Sequence, residues 1–444
     1  MSHNQNIMLQ RKWFKRVGIF LGFIIVLWAI WQIWLDPYRG TVKILESSES
    51  LDALLTSEEA IKDMDFIVKG LLERHPACIK GLPKAVQDTY EQERVIISKS
   101  DRVSVLSLWQ SSARILSALE DGHTAVKAYY KDVSYLPFSF SLYDNDLICL
   151  GGEYSGYIIS EIGGVQVSEL NERFLEQFSY ELEAYARYSF AKNINRSDCL
   201  EFVGVKTAQD VEILMNQVDG EGVIRKTFPL KSGNLDRMEI DEPFVDFKID
   251  KGNNVGIFTL RQCIYDEKYR STLKSFFESV GKNGIQNIIV DLRGNPGGNS
   301  MVGNEFLRYL PVKEYKTGNT DVRFGPIIWH NKPQLVENQQ TEPTFHGNVY
   351  ALTSTDSFSS AVDFATLLSD NDFGTVVGQI PGNMPSSYGD ILIFQTPHAR
   401  LAFTISYKYF VRPDAEKSEL PLIPNIETSD DALETTIEMI RHNS

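Results

Sequence analysis

Asn287-Ile288-Ile289-Val290-Asp291-Leu292-Arg293-Gly294-Asn295-Pro296-Gly297-Gly298-Asn299-Ser300 is the stretch on which the reading of this chain turns. Residues 287–292 form a short apolar run of the kind that makes a buried strand. A proline and three glycines follow, and residues 301–310 then read as a helix. Adjacent glycines let the backbone turn its N–H groups toward one point, and a following helix adds the positive end of its dipole. Such a loop suits an anion or a developing oxyanion, and equally a bare turn. No Gly-Lys-Ser/Thr follows, so it is not a phosphate-binding P-loop.

The same grammar recurs downstream. Residues 349–353 (VYALT) read as a buried strand, 353–363 (TSTDSFSSAVD) as a turn of small residues, and 359–368 as a helix. A serine in a first helical turn lies near unpaired N–H groups and the positive dipole end, which favours a nucleophile; it also makes an ordinary N-cap. No GxSxG elbow is present. With a strand over 255–260 and a helix over 268–280, the alternation predicts an α/β core.

Taken together the two segments resemble peptidase family S41, the tail-specific and tricorn-like proteases. The family's DLRxNxGG segment reads here Asp291-Leu292-Arg293-Gly294-Asn295-Pro296-Gly297-Gly298, and its Ser-Ala-x-Glu/Asp segment reads Ser360-Ala361-Val362-Asp363. The resemblance implies Ser360 as nucleophile, with oxyanion donors among the backbone N–H groups near Gly297 or Gly298 and at Ala361. Many relatives pair the serine with a lysine some two dozen residues on. The corresponding stretch here, 378–384, has none, and the nearest downstream, Lys408, falls in a strand-like run.

Leu119-Glu120-Asp121-Gly122-His123-Thr124 looks instead like the DGHT segment of the branch that uses histidine as base. A helix is expected over 103–120, with Gly122 as its stop, so His123 lies just past a carboxyl end that would stabilise an imidazolium. Near pKa ~6.5 an imidazole can accept the serine proton at neutral pH. In tricorn-like enzymes a glutamate before a Pro-Asp-Ile segment orients the base. Here Glu419 precedes Pro424-Asn425-Ile426 and is the candidate, although Asn425 replaces the aspartate and Gly122 the serine before the histidine. His75, in the His75-Pro76 pair, also resembles a recurrent position and is read as structural. Residues 385–390 (PSSYGD) resemble the branch's PNSYGD segment, placed beside the site.

The resemblance implies a ClpP/crotonase-like β-superhelix core preceded by a helical domain, with a degenerate PDZ-like insert. The corresponding divisions are a cytoplasmic tail (1–16), an anchor (17–35), a linker (36–50), a helical domain (51–135), a mixed β/α, PDZ-like region (136–250) and the catalytic core (251–444). Thr56 and Glu59 have capping-box spacing at the start of the first helix, and 168–186 reads as one long helix. Residues 17–35 carry no charge, would rise about 28 Å as a helix, and follow Arg11, Lys12, Lys15 and Arg16. The positive-inside rule puts the remainder outside the cytoplasm, and without a small-x-small site the run reads as a retained transmembrane anchor.

A formal charge of −15 argues against nucleic acid as partner. The four cysteines show no metal-ligand spacing and read as buried free thiols; no HExxH cluster occurs, and no metal or cofactor is expected. The expectation is a membrane-anchored extracytoplasmic serine peptidase acting on polypeptides. The alternatives are a non-catalytic protein binding apolar ligands on the same scaffold, or an esterase.

Overall fold

A computed structural model describes residues 3–143, 146–208, 210–217, 222–233 and 242–443. Thr56 opens the helix Ser57–Arg74 with the expected capping box, its hydroxyl accepting from the Glu59 N–H while the Glu59 carboxylate accepts from the Thr56 N–H. The helix stops at His75, as the residue before a proline is disfavoured in a helix. It lies tightly on the strand Ala402–Phe410: a Cβ added at Gly70 would fall 2.6 Å from the Ile405 side chain. Helices Lys84–Ser98 and Val105–Ser117 complete this layer, whose apolar faces join one core with Phe403 and Ile405.

Residues 139–228 carry an antiparallel sheet in the order Val223–Phe228, Val211–Asn216, Ile158–Ile162, Asp146–Leu150, Ser139–Tyr143, with Val165–Gln166 at its side. The helix expected over 168–186 is two helices, Val167–Leu175 and Glu183–Asn193. Its interruption has a tertiary cause. Glu181 turns away to accept from the Met384 N–H at 2.8 Å and the Gly122 N–H at 3.4 Å.

The second half of the chain is α/β. Its sheet runs Val245–Asp250, Val255–Leu260, Asn287–Asp291, Asn348–Thr353, Thr375–Gly378, Ile426–Glu427, parallel except for the first pair. The strand Asn287–Asp291 is buried at every residue, as its apolar run requires. Helices Glu267–Asn283, Met301–Leu307 and Ser360–Asp370 cover one face, packing Phe258, Phe276, Phe306 and Phe364 into a second core. Two neighbouring parallel strands, Asn287–Asp291 and Asn348–Thr353, thus deliver the glycine loop and the serine turn to the same edge, the usual place for a site in such a sheet. A separate five-stranded sheet holds Ile327–Asn331, Thr320–Phe324, Ala402–Phe410 and Ser387–Gln395, in that order, with Val126–Lys127 paired to Ala402–Phe410 off this path.

The expected transmembrane anchor over 17–35 finds no support. Among the described residues no helix is long and apolar enough to cross a membrane. The α-helix His3–Ile30 gives way to a π-helical turn, Trp31–Leu35. Its uncharged α-helical part, 17–30, rises only about 21 Å against a hydrocarbon layer of about 30 Å. Ile19, Phe20, Phe23, Ile25, Trp28 and Trp34 are exposed, while Trp31 meets Phe324 at 5.9 Å. All four cysteines are free and buried.

Candidate active site

Ser360 is the first residue of its helix and almost fully buried. It follows Ser359, whose φ of 55° and ψ of −124° put a non-glycine residue in a region that glycine favours. The turn is held from both sides. Asn383 Oδ1 accepts from the Ser359 N–H at 2.6 Å, Ser357 Oγ donates to the Leu292 carbonyl at 2.7 Å, and the Phe358 N–H donates to the Asn295 carbonyl at 2.9 Å.

The opposing glycine loop is organised by Asn295, which has no exposed surface. Its Nδ2 donates to the Leu260 carbonyl at 2.7 Å, and its Oδ1 accepts from the Gly297 N–H at 2.8 Å. At Gly297 φ is 94°, and a Cβ there would fall 2.6 Å from Ser359 Cβ and 2.7 Å from the Phe358 carbonyl. The close approach of the two loops is what requires glycine. Behind the loop, Arg293 pairs with Asp291 at 2.7 Å and reaches Asp431 at 3.1 Å, so the charged part of the DLR segment ties strand to terminal helix.

His123 lines the same cavity as Ser360, a space of about 370 Å³ walled also by Gly298, Ser387, Tyr388, Gly389, Asp390 and Lys408. Its ring lies 4.7 Å from Phe358, and neither ring nitrogen has a hydrogen-bond partner among the described residues. Two carboxylates approach Nδ1, Asp121 at 3.8 Å and Glu181 at 4.0 Å. Asp121 is already committed: Oδ2 faces His75 Nε2 at 3.1 Å, and Oδ1 accepts from the His123 N–H at 2.9 Å. The Ala77 N–H donates to His75 Nδ1, so the proton of a neutral His75 sits on Nε2, facing Asp121. The buried pair His75–Asp121 therefore holds the backbone of His123 from below.

Burial governs the charges. It would raise Asp121, but the His75 hydrogen bond and the nearby imidazoles hold the acid at about 2. Burial pushes the His123 pKa down, with the Asp121 charge opposing. Burial, helped by the Asp121 charge, lifts Glu181 to about 8 against the two N–H groups it accepts from. Asp363, one helical turn beyond Ser360 on the cavity wall, is lifted by burial to about 7. His123 and Asp363 line the Ser360 cavity and Glu181 lines the adjoining one, and shifted groups gathered in this way point to a functional site.

Residues 254–428 match the profile of peptidase family S41. This chain carries an S41 peptidase domain. The match supports a serine-type peptidase. The fold is similar to that of mature CPAF: a structure complexed with lactacystin is 13% identical with a TM-score of 0.64, covering 87% of this chain and 97% of that one. A second structure of mature CPAF gives 13% identity and a TM-score of 0.63, covering 87% of this chain and 96% of that one. The photosystem II D1 C-terminal processing protease matches at 12% identity and a TM-score of 0.47, covering 87% of this chain and 97% of that one. No curated protein matches the chain.

The structure brings Ser360, His123 and Gly298 together. It does not bring Glu419 to them: Glu419 is exposed on the wall of an adjoining cavity of about 510 Å³. Of the expected oxyanion donors, the Gly297 N–H is taken by Asn295 and the Ala361 N–H donates to the Phe358 carbonyl at 3.2 Å. The N–H groups of Gly298 and Ser360 make no hydrogen bond among the described residues. Ser360 Oγ donates to the Gly298 carbonyl at 3.0 Å, not to the imidazole. The amide of Asn425 serves the fold, accepting from the Val376 N–H at 2.8 Å.

Lys408, set aside from sequence as a partner for the serine, faces the Ser360 cavity, but its ammonium pairs with Asp390 at 2.5 Å. One residue was missed from sequence. Glu181 lies far from every motif, and only the broken helix could have pointed to it. The donor atoms of Asp121, His123 and Glu181 lie within 4.8 Å of one another, near enough for a metal ion. Asp121 already meets His75 and the His123 N–H, so the trio fits orientation of an imidazole better.

Proposed function

We propose that the chain hydrolyses peptide bonds with Ser360 as nucleophile and His123 as general base. The observation that carries this is the pairing, in one cavity, of a serine at a helix N-terminus with a buried imidazole whose two nitrogens are both unpartnered. Ser360 Oγ leaves the Gly298 carbonyl, turns to His123, gives up its proton and bonds to the scissile carbonyl carbon. The oxyanion so formed faces the N–H groups of Gly298 and Ser360, which the protein leaves free. His123 returns the proton to the leaving amine, and water then cleaves the acyl-serine by the same steps in reverse order. His123 needs its neutral form at the outset, and burial favours that form.

Glu181 is the carboxylate we assign to orient the imidazole. It is 4.0 Å from Nδ1 and anchored through two backbone N–H groups, whereas Glu419 is turned to solvent. An apolar-ligand binder is disfavoured, because the cavity wall includes Asn299, Ser300, Asp363, Asp390 and Lys408. Extracytoplasmic placement, tethered through the exposed apolar residues between Ile19 and Trp34, belongs to the same proposal, as do the superhelical core and the PDZ-like character of 136–250. Protease protection and carbonate extraction of membranes would test the tether.

Wild type should take a fluorophosphonate label and cleave unfolded casein. Ser360→Ala and His123→Ala should each abolish cleavage, with an unchanged circular dichroism spectrum. Labelling that persists in Ser360→Ala would falsify the assignment of the nucleophile.

A further inference from the structure

His123 is tied down through its backbone N–H, while its ring makes no hydrogen bond among the described residues. What the ring does have is a face to lie against. The Phe358 ring centroid is 4.7 Å from that of the imidazole, with the two planes inclined by 39°. Behind Phe358 a further ring follows, as Tyr185 stacks on it at 4.7 Å with 25° between the planes. Side chains from three distant parts of the chain thus form one short column that ends in the base.

The backbone is cleared for that column. A Cβ on Gly122 would lie 3.3 Å from the tip of the Phe358 ring, and one on Gly382 would lie 2.6 Å from Tyr185 and 3.1 Å from Phe358. The main chain of Phe358 is placed as tightly as its side chain: its N–H donates to the Asn295 carbonyl at 2.9 Å, and its carbonyl accepts from the Ala361 N–H at 3.2 Å. Tyr185 is carried by the helix Glu183–Asn193, which is pinned to the same turn where the Tyr188 hydroxyl donates to Asp356 at 2.7 Å. Phe358 therefore belongs both to the turn that presents Ser360 and to the surroundings of His123.

An aromatic face attracts a cation held within about 6 Å of its centroid, most strongly where water is excluded, and has no such pull on a neutral imidazole. The contact between Phe358 and His123 thus strengthens when the imidazole takes up a proton, and only interactions that strengthen along the reaction speed it. The charged groups facing His123 are Asp121 and Glu181, at 3.8 and 4.0 Å from Nδ1, and across the cavity Lys408 and Asp390, which are paired with each other. Burial opposes the imidazolium, so the ring face adds to what Asp121 supplies in its favour.

We propose that Phe358 is a positioning residue for His123: its ring, backed by Tyr185, orients the imidazole and stabilises the imidazolium. That the proton comes from Ser360 rests on the peptidase reading above; the platform does not.

The test is a fluorination series at position 358. Phenylalanines bearing one, two and three ring fluorines, incorporated into the full-length chain, drain the ring face of electron density with little change of shape. The His123 pKa is read by NMR of isotope-labelled histidine in the Ser360→Ala background, its resonance assigned by loss in His123→Ala. It should fall stepwise, by about one unit over the series. With Ser360 in place, kcat should fall about fivefold while KM stays within about twofold. Tyr185→Leu should lower kcat about threefold, and Tyr185→Phe, which keeps the stacked ring, should recover most of that loss. A His123 pKa that stays flat across the series would overturn the proposal, whether or not kcat changes. A stepwise pKa in a wild type that hydrolyses no peptide would overturn the peptidase reading and leave the platform standing.

Discussion

The serine half and the histidine half of this site are built on different principles. Ser360, the glycine loop and Asn383 are knit by short bonds between two neighbouring strand ends, with the backbone pinned. His123 is assembled at long range, from a DGHT turn, a glutamate out of the 136–250 region and the Met384 backbone, and its ring makes no hydrogen bond among the described residues. The difference teaches where rigidity is needed. A nucleophile and its oxyanion donors must be placed before substrate arrives, whereas an imidazole has to turn between accepting and donating a proton.

The comparison breaks hardest at Gly297. Gly297→Ala pushes a methyl group into Ser359 and the Phe358 carbonyl, and displacement of the serine turn should lower kcat/KM by roughly a hundredfold or more. Steady-state kinetics on a fluorogenic peptide would show it. A loss below threefold would mean that the two loops do not share one rigid frame.

Glu181 sharpens the other half. Glu181→Gln should lower kcat by roughly tenfold with little change in KM, whereas Glu419→Gln should stay within about twofold. Because burial lifts Glu181 to about 8, its ionisation should add a rise in kcat between neutral and mildly alkaline pH, and that rise should vanish in the glutamine variant. The reverse ranking of the two variants would return Glu419 to the site.

A smaller effect concerns stability. The folded-state pKa values of Glu181 and Asp363 are raised, to about 8 and about 7, so the native state binds their protons more tightly than the unfolded chain does. Their contribution is complete below pH 4 and is lost as pH rises through 7 and then 8. His123, lowered by burial, works the other way, adding stability as pH rises toward its ordinary value. Scanning calorimetry at constant ionic strength should show Tm falling from pH 6.5 to pH 8.5, with a shallower fall in Glu181→Gln.

What the sequence revealed follows the same division. The α/β core, the glycine loop and Ser360 were legible because each depends on neighbours in the chain: an apolar run, two glycines, a serine where a helix begins. His123 was legible from its motif, but its surroundings were not. The break at 176–182 that presents Glu181 comes from contacts with Gly122 and Met384, which helical periodicity cannot register. Lys408 alternates in and out of a strand like any residue, so its place on the cavity wall depends on which face the sheet turns inward. The span over 17–35 was read from hydropathy, which does not register a change of helical winding at Trp31.

Ser359 carries one consequence further. A serine at φ 55° and ψ −124° stores on the order of 1–3 kcal/mol, held in place by the Asn383 side chain and the packed glycine loop. Glycine at that position would release the strain and widen the range of shapes open to the turn. Ser359→Gly should thus melt a few degrees higher and turn over more slowly, a trade of catalytic alignment for thermal resilience. The spring behind Ser360 is wound by the fold, and the protein is a little less stable for keeping it so.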